Sequence, residues 1–209
     1  MTMHPAPLLS RHRIRSDATR RRLCEAATGV LVEGGLRAFS FVKVCDKAGL
    51  SRGAIHHHYD TPADLLADVV AHIYDQLSAA VTKELRPRGT RQETVDHAID
   101  ALWKHLRTGP FRVLLEIRAA TMSDATLAAA IAGPNDRINR NIIAAATRAF
   151  EDHLEPGLVR MVFAALTGLA LQYFTLTTHD RRRANSMAAD FIGQLKKSIH
   201  LLHERSADA

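Results

Sequence analysis

The stretch Ser51-Arg52-Gly53-Ala54, with Lys43 before it and His56 and His57 after it, carries the most specific chemistry in the chain. Arg52 is the side chain there whose fork of N–H donors matches O6 and N7 of guanine, and Ala54 offers a methyl to thymine. Ser51 caps a helix start whose free backbone N–H groups suit phosphate. A segment that enters a major groove needs small or polar leading residues, which Gly53 and Ala54 supply. Lys43, Lys47, His56 and His57 surround it as groups that hold a backbone rather than read a base. A proton on His56 adds a positive charge, so tighter DNA binding on mild acidification is expected.

Other chemistries fit less well. In His56-His57-His58 three consecutive helical residues point in three directions and cannot chelate one ion, so no metal and no cofactor is expected. Nucleophile–base pairs, paired carboxylates and a phosphate-cradling glycine loop are missing from the sequence, so it does not read as an enzyme. Cys24 and Cys45 read as two buried thiols in a reducing, cytoplasmic setting, since no secretory leader pattern opens the sequence.

The elements that must position the reading segment are helices throughout, which makes this an all-α chain. A first helix is expected to open at Ser16, to bury Leu23, Ala26, Ala27, Val30 and Leu31 on one stripe, and to end at Gly34-Gly35. Ser40 caps a second short helix through Lys47, Gly49 turns the chain, and Ser51 caps a third in which Ile55 faces back onto Leu23, Ala27, Val44 and Leu50. Thr61-Pro62-Ala63-Asp64 starts a long fourth helix, to about Glu84. Further helices are expected near 91–107, 110–121, 124–152, 156–178 and 184–204, with a break at Gly133-Pro134. The organisation is a basic flexible arm over 1–15, a three-helix helix-turn-helix domain over 16–60, and a larger helical domain over 61–209.

Charge follows the same division. The chain has a formal charge of +6, and residues 1–60 hold ten Lys/Arg against five acids, so the remainder is close to neutral. Such asymmetry points the front of the chain at a polyanion.

Several residues at consistent spacing then carry a likeness: Arg22-Leu23, Ala26-Ala27, Glu33-Gly34-Gly35, Ser40, Val44, Ala48-Gly49-Leu50-Ser51-Arg52-Gly53, Tyr59 and Leu65-Leu66. This run resembles the TetR family of bacterial transcriptional regulators, and the resemblance implies a dimer on a palindromic operator, released when a small molecule changes the spacing of its two reading heads. It departs from the family pattern at His56, where tyrosine is usual, and at Pro62, where lysine is usual. Lys43 and the arginines between Arg11 and Arg22 are placed to compensate for the lost charge.

The larger domain is read as dimerisation and effector binding. Met161–Thr178 lacks Asp, Glu, Lys and Arg, yet its threonines and flanking arginines argue against a membrane span and for a covered helix in a symmetric pair. Met161, Ala165, Leu169 and Tyr173, with Met187, Phe191 and Leu195 on the final helix, are the expected interface. Trp103, Phe111, Leu115 and Met122, with Leu106, Leu114 and Ile143, are candidates to wall an apolar effector site, and His105, Glu116 and Asn139 to fix its polar end. The alternatives are a regulator that senses a protein or no ligand, a helical enzyme with an incidental basic arm, and a peripheral membrane protein.

Overall fold

In a computed structural model of the chain, residues 7–84, 89–134, 136, 140, 156–177 and 179–207 are described. Asn139 and Ile143 lie outside them. Helix α1 spans Pro7–Ala38, α2 Phe41–Ala48, α3 Arg52–His56, α4 Pro62–Glu84, α5 Arg91–Leu106 and α6 Gly109–Ala120. An apolar helix α7 is described over Ala125–Pro134, followed by α8 at Pro156–Thr177 and α9 at Arg181–Ala207. Among the described residues there is no strand.

The helix starts are local hydrogen-bond devices. Ser40 Oγ accepts from Lys43 N at 3.3 Å, Ser51 Oγ from Ala54 N at 3.2 Å, and Thr61 Oγ1 from Asp64 N at 3.2 Å. Asp64 Oδ2 answers by accepting from Thr61 N at 2.9 Å, which closes the expected box around Pro62. Thr90 and Glu93 repeat that reciprocal arrangement at the start of α5. Each bond satisfies a backbone donor that a helix leaves without an internal partner.

One boundary differs from expectation. Helix α1 begins at Pro7 rather than Ser16, because proline is a favourable first helical residue and no breaker separates it from Ser16. Helix α7 is described as far as Pro134, so the break or kink expected at Gly133-Pro134 falls at the edge of the described residues. The other end of α1 agrees with its glycines: Gly35 leaves the helix at φ 66°, a region open to glycine at little cost.

The chain divides into two compact units. One comprises 1–73 with 116–134. In it the α1 stripe of Leu23, Ala26, Ala27, Val30 and Leu31 is buried, together with Val44, Cys45, Ala48, Ile55 and Tyr59 from the following elements and Leu65, Val69 and Val70 from α4. The other comprises 74–115 with 135–209, where α8 packs on α9 and both meet α5. Trp103 stands edge-on to Tyr173 with ring centroids 5.4 Å apart, and Lys196 and His200 bridge α9 to Asp100 and Asp96 at 2.7 and 2.9 Å.

Candidate nucleic-acid interface

The reading segment is built on a short helix that is not stable alone. A five-residue helix cannot recover the cost of its own nucleation, so α3 exists because Ile55 anchors it. Ile55 is fully buried, and burial of an aliphatic side chain contributes about 1.5–3 kcal/mol. Ahead of it, Gly49 takes φ 60°, and its N–H closes on the carbonyls of Asp46 and Cys45. That left-handed residue turns the chain from α2 into α3 within two positions.

With Ile55 facing inward, Ser51, Arg52 and Gly53 are exposed and Ala54 is half-buried. A Cβ added at Gly53 would meet nothing nearer than Ser51 Oγ at 3.9 Å. The fold therefore has room for a side chain at this position and does not require its absence. Lys43 is exposed on the first turn of α2, whereas Lys47 lies across Gly29 and reaches Glu33 Oε1 at 2.6 Å. His56 is exposed, its ring edge-on to Phe41 at 5.4 Å, and His57 is exposed at the end of α3. The half-buried His58 ring is held towards its neutral form by burial first, then by the charges of Arg20 and His57.

Behind the exposed segment sits a polar cluster that the sequence did not reveal. Asp68 Oδ2 accepts from Arg20 Nε at 3.1 Å, Arg20 Nη2 at 2.7 Å and Tyr59 Oη at 2.8 Å. Arg20 also lies over the Tyr59 ring, 5.5 Å from its centroid, and Cys24 Sγ is 3.6 Å from the Tyr59 hydroxyl. Burial pushes the Cys24 thiol up to about 11 and drives the Tyr59 phenol upward too. The partners are 48 residues apart for Arg20 and Asp68, a separation that no local pattern reports. Both cysteines are free and buried.

The residues expected to wall an effector site are dispersed. Trp103 and Phe111 are buried, Leu115 is half-buried, and His105 Nε2 is 3.1 Å from Glu84 Oε1, all in the unit that contains α8 and α9. Glu116 and Met122 belong to the other unit: Glu116 turns its carboxylate to Gly35, and Met122 is 84% exposed. Among the expected interface residues, Leu169 and Tyr173 face their own chain and are buried. Ala165, Met187 and Leu195 are half-buried. Met161 and Phe191 are open, and so is Leu171, which was not expected. Helix α8 has the length and composition of a membrane span over Gly157–Thr177, with a mean hydropathy of 1.4, a test that a covered soluble helix also passes.

Comparison with known proteins agrees with this geometry. Residues 23–69 match the model of bacterial regulatory proteins of the tetR family. The HTH-type transcriptional regulator CymR of Pseudomonas putida is 25% identical over 175 residues, covering 81% of this chain and 85% of that protein. The HTH-type transcriptional repressor LfrR of Mycolicibacterium smegmatis is 26% identical over 152 residues, 72% of this chain and 76% of its own. The crystal structure of the regulator FadR from Bacillus subtilis in complex with stearoyl-CoA has a TM-score of 0.62 at 15% identity, covering 83% of this chain and 96% of that one, a likeness of fold.

Proposed function

We propose that this chain, a transcriptional regulator of the TetR family, binds an inverted-repeat operator as a homodimer and acts as a repressor relieved by a small apolar effector. Ser51, Arg52, Gly53 and Ala54 read the major groove, and Lys43, His56 and His57 hold the backbone. Gly53 is the observation that carries this reading. Glycine in a helix costs about 0.5–1 kcal/mol relative to alanine, and the fold leaves room for alanine there. A glycine that its own protein does not need fits a surface that an outside partner approaches closely.

Dimerisation is supported by the side of α8 that its own chain leaves open. Met161 and Leu171 are 53% and 57% exposed on a helix almost without charge, and Phe191 is open on the neighbouring α9. A second copy covers such a face in the same way on both subunits. Two recognition helices about 34–36 Å apart then meet successive major grooves. The repressor reading is supported by LfrR, named a repressor. The effector reading is supported by FadR, described with stearoyl-CoA, and by Trp103, His105, Phe111 and Leu115 within one unit. The domain reading places DNA contact in residues 16–60 and effector binding and dimerisation in 61–209. Nothing in this function calls for a catalytic group, and its place is with the DNA of the cytoplasm.

Selection of bound duplexes from a random pool tests the proposal. Recovery of an inverted repeat with a preferred guanine in each half-site is expected. A protein that retains no duplex at low salt overturns it.

A further inference from the structure

We propose that Arg15 and Arg22, on one side of α1 and outside α2 and α3, form a second DNA-contacting surface that grips the phosphate backbone flanking the site read by α3. This rests on the DNA-binding reading above and adds a contact that the reading segment does not supply. Arg15 and Arg22 are seven residues apart on a continuous helix, which puts them about 20° apart around its axis and about 10 Å apart along it. Both are exposed, and neither guanidinium has an ion-pair or hydrogen-bond partner among the described residues. Arg20 differs, since Asp68 and Tyr59 occupy it.

The stripe ends at the reading segment. Arg22 Nη2 lies 3.0 Å from where a side chain on Gly49 would begin, and Gly49 is the turn residue two positions before Ser51. Two unpaired guanidiniums that start at the groove-reading turn and lead away from it match a line of phosphates, which rise about 3.4 Å apart along each strand. Arginine suits this role because its fork of donors meets phosphate oxygens in pairs.

The test compares two double variants of equal charge. R15Q/R22Q removes the stripe. R37Q/R182Q removes two exposed arginines that lie off the stripe, one beyond the Gly35 break of α1 and one on α9. Each is titrated against a mixed-sequence DNA duplex and against a selected operator across a salt series. The expected result is a log–log salt slope shallower by about 0.9 for every phosphate no longer neutralised, hence by roughly 1.8 per subunit for R15Q/R22Q, on both duplexes, with the preferred sequence unchanged and the control close to wild type. Equal slopes for the two variants overturn the second surface while leaving the reading segment in place. A wild-type protein that ignores both duplexes overturns the DNA-binding reading itself.

Discussion

The carboxylate of Asp68 on α4 and the guanidinium of Arg20 on α1 meet through a single oxygen, Oδ2, which takes both the Nε and the Nη2 proton and, at 2.8 Å, the hydroxyl of Tyr59 as well. One atom thus joins α1, the chain after α3 and the start of α4. The ion pair itself is open to water, with side-chain exposures of 48% and 34%, so its Coulomb part contributes little, about 0–1 kcal/mol. Tyr59 is 2% exposed, and among the described residues its hydroxyl otherwise meets the weak Cys24 sulfur and the Arg20 guanidinium, itself a donor, so Asp68 is the strong acceptor for its proton. Asp68→Ala is therefore expected to lower stability by about 1–3 kcal/mol and Arg20→Ala by less than about 1 kcal/mol. Denaturant melts of the two variants check the order, and equal losses count against it.

Gly53→Ala separates folding from recognition. The substitution is expected to raise thermal stability by up to about 1 kcal/mol, since a Cβ there meets only Ser51 Oγ at 3.9 Å, and yet to weaken operator binding. A variant that is both more stable and fully active in a duplex titration contradicts close approach at this residue.

Arg52→Ala is expected to cost about 1–3 kcal/mol at the operator and to relax base preference at one position in each half-site. Lys43→Ala should weaken all duplexes alike. Repeating the selection with each variant distinguishes the two roles, and an unchanged preference for Arg52→Ala removes its assignment.

The two leucines of α8 give opposite outcomes. Leu171 is 57% exposed and Leu169 3%, so Leu171→Glu is expected to yield folded monomers and Leu169→Glu an unfolded or strongly destabilised chain. Sedimentation with circular dichroism reads both. A Leu171→Glu dimer of wild-type affinity places the pairing surface elsewhere.

Alkaline pH should expose the Cys24 cluster. The thiol titrates near 9 when unfolded and is pushed up to about 11 by burial, so the folded state holds its proton longer. The stability this contributes is present below pH 9 and is lost as pH rises from 9 through about 11, and the Tyr59 shift runs the same way. Native protein is expected to resist iodoacetamide at pH 8 and to react once denatured. Rapid labelling of Cys24 in the folded chain contradicts this.

What the sequence made legible was local. The buried stripe of α1, the Gly49 turn, the inward Ile55 and the hydroxyl caps are each set by residues within a few positions of one another. The start of α1 was misjudged because Ser16 is a good cap by type while nothing before it breaks a helix. The Arg20–Asp68–Tyr59 cluster and the open side of α8 were hidden for another reason. Which residues a tertiary contact joins, and which side of an apolar helix its own chain covers, are not written in periodicity.

The caps of Ser40, Ser51 and Thr61 reach only three residues ahead. The starts of α2, α3 and α4 are thereby marked by close neighbours in the chain. Short-range decisions make for rapid acquisition of structure. As the polypeptide emerges from the ribosome, these helix starts have the means to form while α8 and α9 are still being synthesised.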